Sequence, residues 1–191
     1  MFRKETQLRF ELKLRDYPRI AIFVGLITAL SFVPALYIIP DVPVTAQTLG
    51  VMLAGAVLGS YRGALAVLIY EILALVGLPI LASGKGGLSA FTGPTGGYLV
   101  GFIFGAYVIG LVIEKLPKLN IAVSSILGFI LGGIVTVYIP GILWVSYSLG
   151  LPLIPVAQGN LVFLIGDSVK IVLAVLVLLG IKSANPKLLE N

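Results

Sequence analysis

The chain has 191 residues, 59% of them hydrophobic and 11% charged, with a formal net charge of +5 and a mean hydropathy of +1.11. A soluble domain carries about a quarter charged residues, so this composition excludes a soluble enzyme, a DNA-binding domain and a disordered regulator. Cysteine and histidine are absent, which removes disulfides, thiolate metal sites, the commonest metal ligand and the usual general base, and argues against a zinc protease, a haem protein or a histidine-based hydrolase.

Apolar stretches long enough to cross a bilayer, about 18 residues or more, recur along the chain. The expected fold class is an all-α, polytopic membrane protein, one domain over residues 1–191. The first 19 residues are polar and basic: Phe2, Leu8, Phe10, Leu12 and Leu14 interleave with Arg3, Lys4, Arg9, Lys13 and Arg15. That pattern suits either a membrane-surface segment or a solvated tail. No short apolar region with a small-residue cleavage site follows, so the segment does not read as a signal peptide.

Six apolar segments follow in order. The first covers residues 20–39 and ends at Pro40-Asp41-Val42-Pro43; the second covers 44–60. Arg62 marks a tight connection into the third, which reaches residue 81, and a Gly- and Ser-rich loop covers 82–93. The fourth covers 94–113, with a polar connection over 114–120, and the fifth covers 121–138. The stretch 139–159, with Pro140, Pro152 and Pro155, reads as a long apolar loop or broken helix, and the sixth segment covers 160–181.

Positive charge sets orientation in membranes. With six spans, Arg3, Lys4, Arg9, Lys13, Arg15, Arg19, Arg62, Lys115, Lys118, Lys182 and Lys187 fall on one side, eleven of the thirteen basic residues. That side is expected to be the cytoplasm, with both termini inside; the charge therefore sorts by membrane side and does not point to nucleic acid. Lys85 and Lys170 do not fit the sorting, and two acids, Glu71 and Asp167, lie within segments. An ion at a helix centre costs about 2.5 kcal/mol or more on insertion scales, so it calls for a partner, a ligand or a water-filled cavity.

Asp167 and Lys170, three residues apart, share one helix face. They form either an internal ion pair that lets segment six insert, or a clamp whose carboxylate accepts ligand N–H groups while its ammonium donates to a ligand carbonyl. Asp167 is expected about seven residues, roughly 10 Å, below the outer end of its segment, a depth that suits an outward-facing pocket. Glu71 faces the same pocket, pairs with Lys170, or is protonated and structural. Ser83-Gly84-Lys85-Gly86-Gly87 lacks the Walker A spacing and its Ser or Thr after the lysine; it reads as backbone N–H groups around one cation, suited to an anion, or as a flexible turn. Tyr98 is an interfacial anchor or a pocket wall, and Trp144 a belt residue or a lid. Ala21, Gly25 and Ala29 form a small-residue stripe for close helix approach, internal or external.

Val42-Pro43-Val44-Thr45-Ala46-Gln47-Thr48-Leu49, Ala54-Gly55-Ala56-Val57-Leu58-Gly59, Gly77-Leu78-Pro79, Gly84-Lys85-Gly86-Gly87, Gly93-Pro94-Thr95-Gly96-Gly97-Tyr98 and Gly166-Asp167-x-x-Lys170 together resemble the substrate-binding subunits of biotin transporters, the BioY family. The resemblance implies the S-component of an energy-coupling factor transporter: a six-helix vitamin-capturing subunit of the cell membrane that docks on a transmembrane coupling subunit driven by two ABC ATPases. No cofactor is implied; ATP is used only by the partners, and the Ala21/Gly25/Ala29 stripe resembles the surface such subunits offer to the coupling protein.

For biotin, Asp167 would accept from the ureido N–H groups and Lys170 would donate to the ureido carbonyl. Tyr98, Phe91 or Trp144 would wall the apolar rings and chain. Lys85, where similar proteins often carry Arg, would meet the carboxylate, and Gln47 would add an amide contact. Glu71 completes the candidate set, although similar proteins place a neutral polar residue near its position. The competing classes are a self-sufficient proton-coupled carrier relaying through Glu71, Asp167 and Lys170, which lacks the expected inverted repeat, and a membrane-embedded enzyme, for which nucleophile and metal candidates are thin.

Overall fold

The structure, a computed structural model, describes residues 12–39 and 42–189. Arg3, Lys4, Arg9 and the apolar residues interleaved with them, as well as Pro40-Asp41, lie outside the described residues. Among the described residues nine α-helices dominate: α1 (Asp16–Ser31), α2 (Gln47–Leu58), α3 (Ser60–Leu75), α4 (Leu88–Thr92), α5 (Gly96–Lys115), α6 (Ile121–Gly128), α7 (Val137–Leu149), α8 (Leu153–Asn160) and α9 (Phe163–Ala184). Three helical stretches among these residues are long and apolar enough to cross a membrane: Gly96–Lys115, Ile121–Leu149 and Phe163–Ala184.

α5 is the central post, packing against α2, α3, α6 and α7. Small residues permit that closeness: a Cβ added at Gly55 of α2 would lie 3.1 Å from the Ala106 Cα of α5. The core around it joins Ile27, Tyr70, Phe102 and Val137 on one side and Met52, Ile109, Phe129 and Leu178 on the other. α2 and α3 are separated by Gly59 alone, whose φ of +81° is a conformation that only glycine adopts without a steric cost.

The first segment is not helical to residue 39. α1 stops at Ser31, and Leu36–Ile39 (β1) pairs antiparallel with Val42–Val44 (β2). Pro34 cannot donate to a helix and drives the residue before it towards extended backbone; the chain beyond it is rich in strand formers.

The stretch 139–159 is not a loop. Helix continues through a π-helical segment, Phe129–Thr136, into α7, and α8 follows after a short break. The prolines fall where helices tolerate them. Pro152 is the N-cap of α8 and Pro155 lies in its first turn, positions with no intrahelical donor to lose. Pro140 stands inside the continuous helix, and the wide π turn ahead of it opens the hydrogen-bond ladder where its ring would otherwise meet a carbonyl. Thr136 Oγ1 donates to the Leu131 carbonyl at 2.8 Å across that opened turn.

One end of the bundle is closed by polar ties. Arg62 Nε on α3 lies 2.9 Å from Asp16 Oδ2 on α1, an ion pair without a linear hydrogen bond, and the Lys13 backbone N–H donates to the same oxygen at 2.9 Å. Beside them the Ser60 backbone N–H donates to Glu114 of α5 at 2.8 Å. The opposite end, where β1–β2, the start of α2, the 81–95 connection and the start of α9 meet, encloses a cavity.

Candidate functional site

The cavity encloses about 760 Å³ of space, its open mouth and adjoining solvent included. Five sequence-predicted residues line it together: Gln47, Lys85, Tyr98, Asp167 and Lys170. They come from α2, the 81–87 turn, α5 and α9, so no single stretch of sequence forms the site.

Asp167 sits at its polar head. α9 begins at Phe163, so Asp167 is the fifth helical residue, about 6 Å along the axis, shallower than the seven residues expected from an earlier start. Its side chain is 4% exposed, and Lys170 Nζ pairs with Oδ1 at 2.8 Å. The same ammonium donates to Thr48 Oγ1 at 2.8 Å, the Thr48 hydroxyl donates to Asp167 Oδ1 at 3.3 Å, and the Tyr138 hydroxyl donates to Oδ2. A buried ion pair is tolerable only when further hydrogen bonds satisfy its remaining lone pairs and protons, and here α2 and α7 supply them. Of the two alternatives in the sequence, the ion pair within the helix forms, and both of its residues line the cavity.

Below the head the wall is apolar: Leu81, Ala90, Leu99, Phe102, Val137 and Phe163. Tyr98 joins it, its hydroxyl donating to the buried Asn160 Oδ1, while Asn160 Nδ2 donates to the Val156 carbonyl at 2.8 Å. Gln47 Nε2 donates to the Tyr70 hydroxyl at 2.5 Å, and that hydroxyl donates to the Ile80 carbonyl at 2.8 Å. This chain ties the start of α2 to the turn that carries Lys85.

Lys85 is exposed at the rim. Its turn is hydrogen-bonded to itself and to the end of α3. Leu81 N donates to the Lys85 carbonyl at 2.9 Å, Gly84 N to Leu81 at 3.0 Å, Lys85 N to Ala82 at 3.4 Å and Gly87 N to Ala74 at 2.7 Å. With those N–H groups engaged, the ammonium is the charged group that the turn offers a ligand.

Three candidates do not line the cavity. Glu71 is 4% exposed in the interior, and its Oε1 has no hydrogen-bond partner among the described residues; it does not pair with Lys170, whose partners there are Asp167 and Thr48. Phe91 packs against the core cluster of Tyr70 and Phe102. Trp144 lies within α7, not in a loop, and its Nε1 donates to the Gly93 carbonyl at 2.8 Å, which fastens α7 to the approach to α5.

Thr48 and Tyr138 escaped the sequence reading. Thr48 stood inside a quoted motif but carries no charge to draw attention, and Tyr138 fell at the edge of a segment cut short by the prolines. Ala21, Gly25 and Ala29 are exposed on α1, and among the described residues a Cβ at Gly25 would meet nothing within 4 Å. The stripe therefore faces away from the other described helices.

Residues 4–187 match the model of the BioY family. A biotin transporter BioY of Rhodobacter capsulatus is 45% identical over 184 residues, covering 92% of this chain and 97% of the relative. A second, from Rhizobium etli, is 46% identical over 169 residues, covering 85% and 90%. Among solved structures, the S-component for biotin from an ECF-type ABC transporter superposes with a TM-score of 0.82 at 34% identity, covering 86% of this chain and 88% of that one. On this evidence the chain belongs to the BioY family.

Proposed function

We propose that this protein captures biotin as the substrate-binding S-component of an energy-coupling factor transporter. The observation that carries the reading is the set of groups that one cavity brings together: a neutralised carboxylate–ammonium pair, an apolar wall and an exposed cation. Biotin presents the matching set, with a neutral ureido head, apolar rings and chain, and an anionic carboxylate. Asp167 accepts from a ureido N–H, Lys170 donates to the ureido oxygen, Tyr98 and its apolar neighbours cover the rings, and Lys85 meets the carboxylate. Gln47 braces the cavity wall through Tyr70. Equilibrium binding of biotin to the purified, detergent-solubilised protein tests this reading. A dissociation constant in the nanomolar range, about −12 kcal/mol, is expected. Asp167→Ala should weaken it by at least about 2 kcal/mol, because it removes a charged partner from a buried site; unchanged affinity would reject the assignment.

The protein spans the cell membrane six times with both termini in the cytoplasm, and the cavity opens outward. The basic residues at the closed end support this orientation. The outward-facing Ala21/Gly25/Ala29 stripe supports docking of α1 on a transmembrane coupling subunit, which two ABC ATPases drive. Gly25→Leu should abolish co-purification with that complex and leave the biotin Kd unchanged; loss of biotin binding instead would place the stripe in the fold of the subunit.

A further inference from the structure

The head of the cavity holds more protein donors than an ion pair alone requires. Lys170 has three N–H groups and spends two, on Asp167 Oδ1 at 2.8 Å and Thr48 Oγ1 at 2.8 Å. Thr48 accepts from the ammonium and spends its single O–H on Asp167 at 3.3 Å. Tyr138 spends its single O–H on the other carboxylate oxygen. Both oxygens of Asp167 are thus held, from α2 and α7 as well as from α9. Among the described residues one ammonium N–H of Lys170 and acceptor lone pairs on Asp167 and Tyr138 remain unspent, and all three residues line the cavity.

We propose that Thr48 and Tyr138 are positioning residues that determine specificity, locking Asp167 and Lys170 into a neutral unit with one free donor beside free acceptors. This deepens, and rests on, the biotin reading above. A locked pair has no spare charge for an ionic ligand group. It excludes a cationic head because the ammonium already neutralises the carboxylate and its remaining N–H requires an acceptor. It also keeps Lys170 from swinging out to a carboxylate, so the anionic end of the ligand is left to Lys85 at the rim. Without Thr48 the ammonium loses an anchor and the carboxylate a donor; without Tyr138 the second carboxylate oxygen is free to rotate away from the ligand.

The test compares biotin with 2-iminobiotin, whose ring carbonyl is replaced by a basic imine that is protonated near neutral pH. Wild type should prefer biotin by ~100-fold or more, since buried groups left unpaired are strongly rejecting. Thr48→Val and Tyr138→Phe should each weaken biotin binding by ~10-fold and narrow the biotin/2-iminobiotin ratio by a similar factor, whereas Thr48→Ser, which keeps the hydroxyl, should restore both. A loss of packing alone lowers the fraction of active protein without moving the ratio. An unchanged ratio in both Thr48→Val and Tyr138→Phe overturns the inference, as does a Thr48→Ser variant that behaves like Thr48→Val. A wild-type protein that binds no biotin would instead reject the functional reading beneath it.

Discussion

The two ends of this bundle use the same chemistry for opposite ends. At the closed end Asp16 and Arg62 pair across α1 and α3, and Ser60 meets Glu114 across α3 and α5. At the open end Asp167 and Lys170 pair within one helix and draw in Thr48 and Tyr138. Both carboxylates are buried, Asp16 at 1% and Asp167 at 3% exposure. The difference lies in what adjoins them. The first pair ties helix ends together, whereas the second lines a cavity and leaves one donor and several acceptors unspent beside it. A buried charge identifies a site only when its unused valences face space.

Breaking the lysine or arginine of each pair separates the two roles most strongly. Lys170→Met leaves Asp167 buried without its cation, and removing one partner of a buried pair costs about 3–5 kcal/mol. Biotin affinity should fall by at least a comparable amount, about 3 kcal/mol, because the ligand loses its donor as well. Arg62→Met strands Asp16 in the same way, but Arg62 is 17% exposed, so about 2 kcal/mol of stability is expected to go, seen as a lower Tm in detergent. The Kd of that variant should be unchanged. If Arg62→Met weakened biotin binding tenfold, the ends would be coupled and the contrast between tie and site would fail.

The rim tests a weaker electrostatic contact. Lys85 is exposed, and exposed ion pairs contribute about 1 kcal/mol or less. Lys85→Ala should therefore weaken biotin binding only about fivefold, and the loss should shrink as salt rises from low to physiological concentration. Biotin methyl ester, which has no carboxylate, should bind wild type and Lys85→Ala alike. A salt-independent loss in the variant, or an equal loss for the ester, would place the carboxylate elsewhere.

The sequence carried the polar head of the site and missed its supports for one physical reason. A charge within an apolar run is conspicuous because it is costly there, so Asp167 and Lys170 could be found by eye. A hydroxyl such as that of Thr48 or Tyr138 costs little in a helix until its geometry is known. The order of apolar segments was legible from hydropathy, but their ends were not. Pro34 ends α1 and opens a β ribbon, Pro152 and Pro155 sit just before and in the first turn of α8, and Pro140 follows a π turn inside a continuous helix. The same residue type breaks a helix or begins one according to its position, and a π turn is invisible to a hydropathy count. Trp144 was misplaced with that stretch: once the helix is continuous, the indole binds a backbone carbonyl of the approach to α5 and leaves the cavity to Tyr98 and Phe163.

Glu71 gives the smallest expected effect and the sharpest test of the contrast. It is as buried as Asp167, yet it does not line the cavity, and its Oε1 has no hydrogen-bond partner among the described residues. If burial of a carboxyl alone made a binding residue, Glu71 would count as one. If access to the cavity is what matters, Glu71→Gln, which keeps shape and volume and removes the ionisable group, should leave biotin affinity within about twofold, under 0.5 kcal/mol. Thermal stability should hold or rise, because an amide avoids the desolvation cost that a charged carboxylate meets in an apolar interior. Both quantities come from one titration and one melting curve on the same preparation. A tenfold loss of affinity in Glu71→Gln would mean that the carboxyl acts on the ligand through the core that separates them, and charge burial, not cavity access, would then be the property that marks a functional residue in this fold.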